Sequence, residues 1–361
     1  MRRARTPAAA LAIIAVLGLT ACGGDGGDTS AAPPPEDLDA AVSGTLRVFA
    51  YQDTVTDELM DPFRRQNPEL EVKTATFGSN QEAAAKLAGG FEADVVEVCL
   101  DEMRPLTARG LLRPVDPAGI PDWDELVFRD AEGVRDGDDA LVVPLSAGPQ
   151  GLIYDTDEVK AAEVESFGDL FDPAFADRVA LEADYPLPAI AETALALGIE
   201  DPMNLTPEEL EQVKQHLIDH RDQFRSLWRS DADVVNLFRS GEIVLADGGP
   251  GLTQRVRDTG VNAEWVAPVE RPLSWVCGLA ITSDSANIPA AYALINWQAS
   301  PEAQAIRADS GYVVTNPAAI ELAAPASRRT ADPASIENAI PETEPPRYDE
   351  WVRAFNEFEA D

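Results

Sequence analysis

The run SWVCGLAITSD (274–284) reads as a buried strand, apolar almost throughout and headed by Trp275 and Cys277. Upstream of it the chain alternates strands with helices. TLRVFAY (45–51) is a strand, and Leu59, Met60 and Phe63 give the next segment helical spacing. LEVKTATF (70–77) alternates as a second strand. Ser79-Asn80-Gln81-Glu82 then forms a capping box opening a helix through Leu87. ADVVEVC (93–99) is a third strand, apolar apart from Glu97, and a short helix starts at Asp101. Strand, helix, strand, helix, strand implies an α/β fold with a parallel sheet covered on both faces.

Residues 138–159 differ, with two extended runs broken by Gly and Pro, and mark a crossing into a second lobe. That lobe is expected to hold strands at 178–183, 224–230, 242–248 and 262–268. Thr206-Pro207 caps one of its helices. Helices near 288–299 and 301–309 follow the 274–284 strand, and the chain closes on an amphipathic helix, YDEWVRAFNEFEA.

The amino terminus points to export. A basic start (1–5) precedes an apolar stretch (8–19) too short for a membrane span, and Leu19-Thr20-Ala21-Cys22 resembles the lipobox of bacterial lipoproteins. The expectation is a signal peptide over 1–21, lipidation at Cys22 and a flexible tether over 22–43, rich in Gly, Pro and Asp. The protein is then extracytoplasmic, lipid-anchored to the outer face of the cell membrane or periplasmic, with no other membrane contact. Of the 3 cysteines, Cys99 and Cys277 remain, an even pair where disulfides persist. Two buried free thiols are the alternative.

The formal charge of -36, from 64 Asp+Glu against 28 Lys+Arg, argues against nucleic acid as a partner. It favours cationic solutes, or reflects a salty habitat. His216 and His220, the only histidines, share a helix face, but no third ligand accompanies them and a solvated face is the expectation. No GxSxG is present, and the glycine-rich DGGPG (247–251) lacks phosphate-loop spacing and reads as a tight turn. Nothing here supports catalysis, and no metal or cofactor is expected. The aromatic residues say more. Tyr51 with Asp53 ends the first strand, and Cys99 with Asp101 ends the third. Ligands of open α/β sheets bind at such carboxyl ends. Trp275 and Tyr312 lie in segments that return to the same edge.

Beyond these residues, LRVFAYQDTV, ADVVEVC, SFGDLFDPAFADRVAL, SGEIVLADGG, WVCGLAITSDSAN and SGYVVTNPAA resemble the spermidine/putrescine-binding proteins of ABC importers. The resemblance covers about 45–317. It implies a two-lobed clamshell of the type II periplasmic-binding-protein kind, each lobe a mixed, mostly parallel sheet flanked by helices. Lobe 1 would hold 44–142 and 277–318, and lobe 2 would hold 143–276 and 319–361. It implies a monomer that captures a polyamine or other small organic cation and delivers it to a membrane permease. An amino-acid derivative is the alternative solute, and a structural lipoprotein the remote alternative role. The family's ligand residues fall on Tyr51, Cys99, Asp101, Trp275 and Tyr312. They also fall near Tyr185, with Asp184 adjacent, and near Gly249. The family's amine-clamping aspartate falls on Cys277, so an amine would rely on Asp53, Asp101, Asp184 or Asp247. In such proteins the returning strand lies beside the third strand, which implies a Cys99–Cys277 disulfide.

Overall fold

The computed structural model describes residues 30–38 and 40–360; the expected signal peptide and Cys22 lie outside them. Numbering the longer elements in chain order, β1 (Gly44–Ala50), α1 (Asp57–Gln66), β2 (Leu70–Thr76), α2 (Asn80–Ala88) and β3 (Val95–Cys99) form the opening unit. Strand β1 pairs in parallel with both β2 and β3, as the alternation requires. Helix α2 starts where Ser79 accepts from the Glu82 N–H.

Two long strands organise the rest. β4 (Val143–Asp155) is 13 residues long, and buried at every position but the last. Its Val143–Gln150 portion pairs with the later strand β9 (Leu273–Thr282), and Gly151–Tyr154 pairs with β7 (Leu245–Gly248). Both faces of β4 are covered, which is why this stretch carries no alternation of apolar and polar residues. Leu145 therefore belongs to one core and Leu152 to another. β9 behaves likewise, with Leu273 in the second core and Leu279 to Ile281 in the first. Where they cross, the register shifts between Cys277 and Gly278, and a Cβ on Gly278 would lie 2.3 Å from the Val143 carbonyl oxygen. Only glycine admits that approach.

The second unit contains β5 (Val179–Glu182), α3 (Leu187–Ala196), α4 (Pro207–Asp219), β6 (Phe224–Trp228), α5 (Asp231–Ser240), β7, α6 (Pro250–Arg257) and β8 (Ala263–Val266). β5 pairs in parallel with β6 and β7, while β4 runs antiparallel to β7 and β8. The result is one mixed sheet, ordered β2-β1-β3-β9-β4-β7-β5-β6, pinched into two lobes at the β4–β9 crossing. After β9, α7 (Ile288–Ala299) packs in the first core, and α8 (Pro301–Asp309) and β10 (Val313–Val314) follow.

Two stretches differ from the sequence reading. Residues 30–38 and 40–43, expected to be part of a flexible tether, pack on the first lobe. Ala32 is fully buried, donates its N–H to the Pro114 carbonyl and accepts from the Tyr292 hydroxyl; the Val42 N–H donates to Asn67. Its Ala-Ala-Pro-Pro-Pro run is small, apolar and stiff, so it is held at little entropic cost. The carboxyl-terminal tail, read as one piece with lobe 2, is divided. Ala319, Ala323 and Ala331 pack with α8 and β10, β11 (Ile340–Pro341) pairs with the start of β9 with Ile340 against the second core, and α9 (Tyr348–Ala360) enters that core.

Candidate functional site

A cavity of about 810 Å³ opens where the carboxyl ends of both sets of parallel strands meet the β4–β9 crossing. From the first lobe, Tyr51 directly follows β1 and Asp53 stands in the turn Gln52–Val55. The Tyr51 ring meets Phe77 edge-on at 4.6 Å, and its N–H donates to Glu97 of β3 at 2.9 Å. Glu97 also accepts from the Thr54 hydroxyl. Burial and the nearby Asp53 push it up to about 7, against the pull of the buried Arg307. Asp101 and Glu102 follow β3 and are both buried. Burial raises Asp101 to about 6 and Glu102 to about 7, although the Tyr348 hydroxyl donates to Glu102.

From the second lobe, β5 delivers Glu182, and Asp184 and Tyr185 come just after it. Burial, and then the charge of Asp184, lifts Glu182 well above the carboxylate range; burial lifts Asp184 to about 8. The Gln150 amide donates to Glu182 at 2.5 Å. Trp228 ends β6 and contributes its ring to the wall; Gly249 caps the start of α6, and Arg255 reaches in from that helix. Asp247 does not line the cavity. It is fully buried at the strand end, accepting from the Glu182 N–H at 2.8 Å and the Trp228 indole N–H at 2.6 Å. It anchors the wall from behind, which corrects its assignment as a direct ligand.

The crossing supplies the remaining wall. Trp275 lies over Gly148, where a Cβ would come within 2.6 Å of the indole, and meets Tyr312 edge-on at 5.8 Å. Tyr312 accepts from Arg255, whose guanidinium also pairs with Asp231. Cys99 and Cys277 are register partners on β3 and β9, and are disulfide-bonded with Cα atoms 3.9 Å apart. The bridge stands in the cavity wall. Glu342, just past β11, donates its N–H to the Ser274 carbonyl, and its buried carboxylate faces Asp101 and Tyr185.

Of the residues anticipated from sequence, Tyr51, Asp53, Asp101, Asp184, Tyr185, Gly249, Trp275 and Tyr312 share this one cavity. Sequence reasoning did not assign Glu97, Glu102, Glu182, Trp228, Arg255 or Glu342 to it. Glu97 had a signal, a lone acid in an apolar strand. His216 and His220 are elsewhere: their rings stand 4.1 Å apart, and His216 meets Phe171 at 4.6 Å. Burial and the second ring keep His216 below its usual range, so the pair is half-buried packing rather than a solvated face. Among the described residues, no helix is long and apolar enough to cross a membrane.

Two lobes joined by long shared strands around an aromatic and acidic cavity define a protein that encloses a small solute. The model of the bacterial extracellular solute-binding proteins matches residues 58–334, and the chain belongs to that family. It is 27% identical over 304 residues to spermidine/putrescine-binding periplasmic protein 1 of Haemophilus influenzae, covering 82% of this chain and 81% of that one. Its fold is similar to that of the spermidine/putrescine substrate-binding protein PotD of Streptococcus pneumoniae (TM-score 0.72, 20% identity, 88% of this chain and 98% of that one). It is equally similar to that of MotA of A. tumefaciens B6, solved in complex with glucopine (TM-score 0.73, 19% identity, 87% and 99%).

Proposed function

We propose that the protein captures a small organic cation of the polyamine kind between its lobes and delivers it to the membrane subunits of an ABC importer. One observation carries this reading. Five carboxylates, those of buried Asp101, Glu102 and Glu342 and half-buried Glu182 and Asp184, line a cavity walled by Tyr51, Trp228, Trp275 and Tyr312. Packing so many acids together without a counter-charge is costly, and a cation between them removes that cost. The aromatic faces suit the same ligand. The named polyamine binding of the Haemophilus relative supports it. Solute stabilises the closed form because only there do both lobes reach it. In this reading the protein works as a monomer, held to the outer face of the membrane through Cys22.

Arg255 in the wall favours a second reading, in which the solute also carries a carboxylate, as an amino-acid derivative does. A thermal-shift screen of the exported protein against polyamines, amino acids and opines tests both readings. A true ligand at about a hundred times its dissociation constant stabilises by about 2.7 kcal/mol. Stabilisation by neutral sugars alone would overturn both.

A further inference from the structure

The charges around the cavity fall into two unlike groups. Around Tyr312 they nearly balance: Asp53, Glu97 and Asp231 stand with Arg255 and Arg307. Around Tyr185 they do not. Asp101 and Glu342 flank the Tyr185 hydroxyl, Asp184 and Glu182 stand beside them, and burial is the leading influence on all four carboxyls, with neighbouring acids adding to it. The other arginine in the wall, Arg229, is tied to the Ala183 carbonyl and to Glu359. Polar satisfaction shows the same asymmetry. Asp101 Oδ1, Asp184 Oδ1 and both oxygens of Glu342 are buried without a hydrogen-bond partner, and Glu342 is only 5% exposed. Buried polar atoms are ordinarily satisfied, so four acceptors gathered in one wall point to a donor that arrives with the solute.

An alkylammonium head offers three N–H donors on one small centre. A guanidinium offers five, spread in a plane and never lost by deprotonation, and it pairs with carboxylates two bonds at a time. We propose that the Asp101–Asp184–Glu342 group is a seat for a guanidinium, so that the solute is a guanidino compound with its chain running towards Trp275 and Tyr312. The inference rests on the reading of the protein as a binder of small organic cations, and narrows it.

Titration calorimetry with matched pairs decides the question: agmatine against putrescine, and 4-guanidinobutyrate against 4-aminobutyrate, with spermidine alongside. The expected result is that each guanidino compound binds at least tenfold more tightly than its amine partner. E342Q and D184N should shrink that ratio towards one. Burial raises both carboxyls well above their ordinary range, so their neutral amide replacements should leave folded proteins, as unfolding curves at pH 7.5 would show. Because the ratio is read first in the unaltered protein, it does not depend on the variants. Putrescine or spermidine binding as tightly as agmatine would overturn the guanidinium seat while leaving the cation reading standing. No binding by any of these cations would overturn both. A guanidino preference undiminished in both variants would overturn the placement at Asp184 and Glu342.

Discussion

Glu102 offers a quantitative check on the electrostatics of the empty site. It is buried beside Asp101, with the Tyr348 hydroxyl donating to it, and its carboxyl is pushed from 4.5 to about 7, mainly by burial. Its folded-state pKa is therefore raised above the unfolded value. Between the two, the folded protein holds a proton that the unfolded chain has lost, so stability falls as pH rises through that window. At about 1.4 kcal/mol per pH unit, the interval from 4.5 to about 7 corresponds to about 3 kcal/mol. E102Q keeps the size and an acceptor oxygen for Tyr348, and cannot ionise. The expectation is that E102Q matches the parent protein near pH 4.5 and exceeds it by about 3 kcal/mol at pH 8. Urea unfolding of the ligand-free proteins at pH 4.5, 6, 7 and 8 reads this directly. Asp101 and Asp184 are shifted in the same direction, so a weaker slope of the same sign persists in the variant. Parallel stability curves for the two proteins across this range would refute the reasoning, since they would mean that Glu102 titrates alike in the folded and unfolded chains.

Other expectations are as direct. Replacing both Cys99 and Cys277 by serine opens a link spanning 178 residues, and should lower stability by roughly 4–5 kcal/mol in the absence of reductant; no change would show that the thiols are not bridged in solution. W275A removes the aromatic wall over Gly148 and should weaken binding of a cationic solute about thirtyfold, the equivalent of about 2 kcal/mol for a desolvated cation–π contact, as read by calorimetry. The association rate of such a solute, measured by stopped-flow fluorescence, should fall as salt rises, because the steering field of a chain with net charge -36 is screened within about 8 Å at physiological ionic strength. A rate flat in salt would indicate a neutral or zwitterionic solute.

Much of the first lobe could be read from local pattern. Its strands and helices are short and regular, and the alternation of periods 2 and 3.6 leaves little choice about a parallel sheet. The aromatic members of the cavity were legible for a related reason: Tyr51 closes a strand whose carboxyl end must face the ligand edge. The acids were less so. Glu182 is the last residue of β5, and Glu102 lies three residues past β3, positions whose side-chain direction depends on a turn rather than on a repeat. Asp247 shows the converse error. It stands in a strand near the right edge, but the pleat turns it to the Trp228 indole and the Glu182 N–H, away from the cavity. Glu342 gave no signal at all. It lies in a Pro- and Glu-rich segment whose course is fixed by one backbone pairing with β9, a contact between residues far apart in the chain.

That long-range pairing bears on how the lobes are coupled. The disulfide occupies the position where the family resemblance expected a clamping carboxylate, on β9, and it ties that strand to β3. A further carboxylate enters on the tail, from Glu342, immediately after the segment that pairs with Leu273 and Ser274 at the other end of the same strand. A few residues later Glu344 pairs with Arg104 of the first lobe, and the Tyr348 hydroxyl donates to Glu102 while the rest of α9 packs in the second core. The chain between 340 and 348 thus spans both lobes while carrying a wall residue of the cavity. A solute held by Glu342 is held by a segment in contact with both lobes, whereas a carboxylate at position 277 would have stood on the strand bridged to β3. A ligand shifts the equilibrium between open and closed forms only by its differential affinity for them, so contacts from a segment that touches both lobes bear directly on closure.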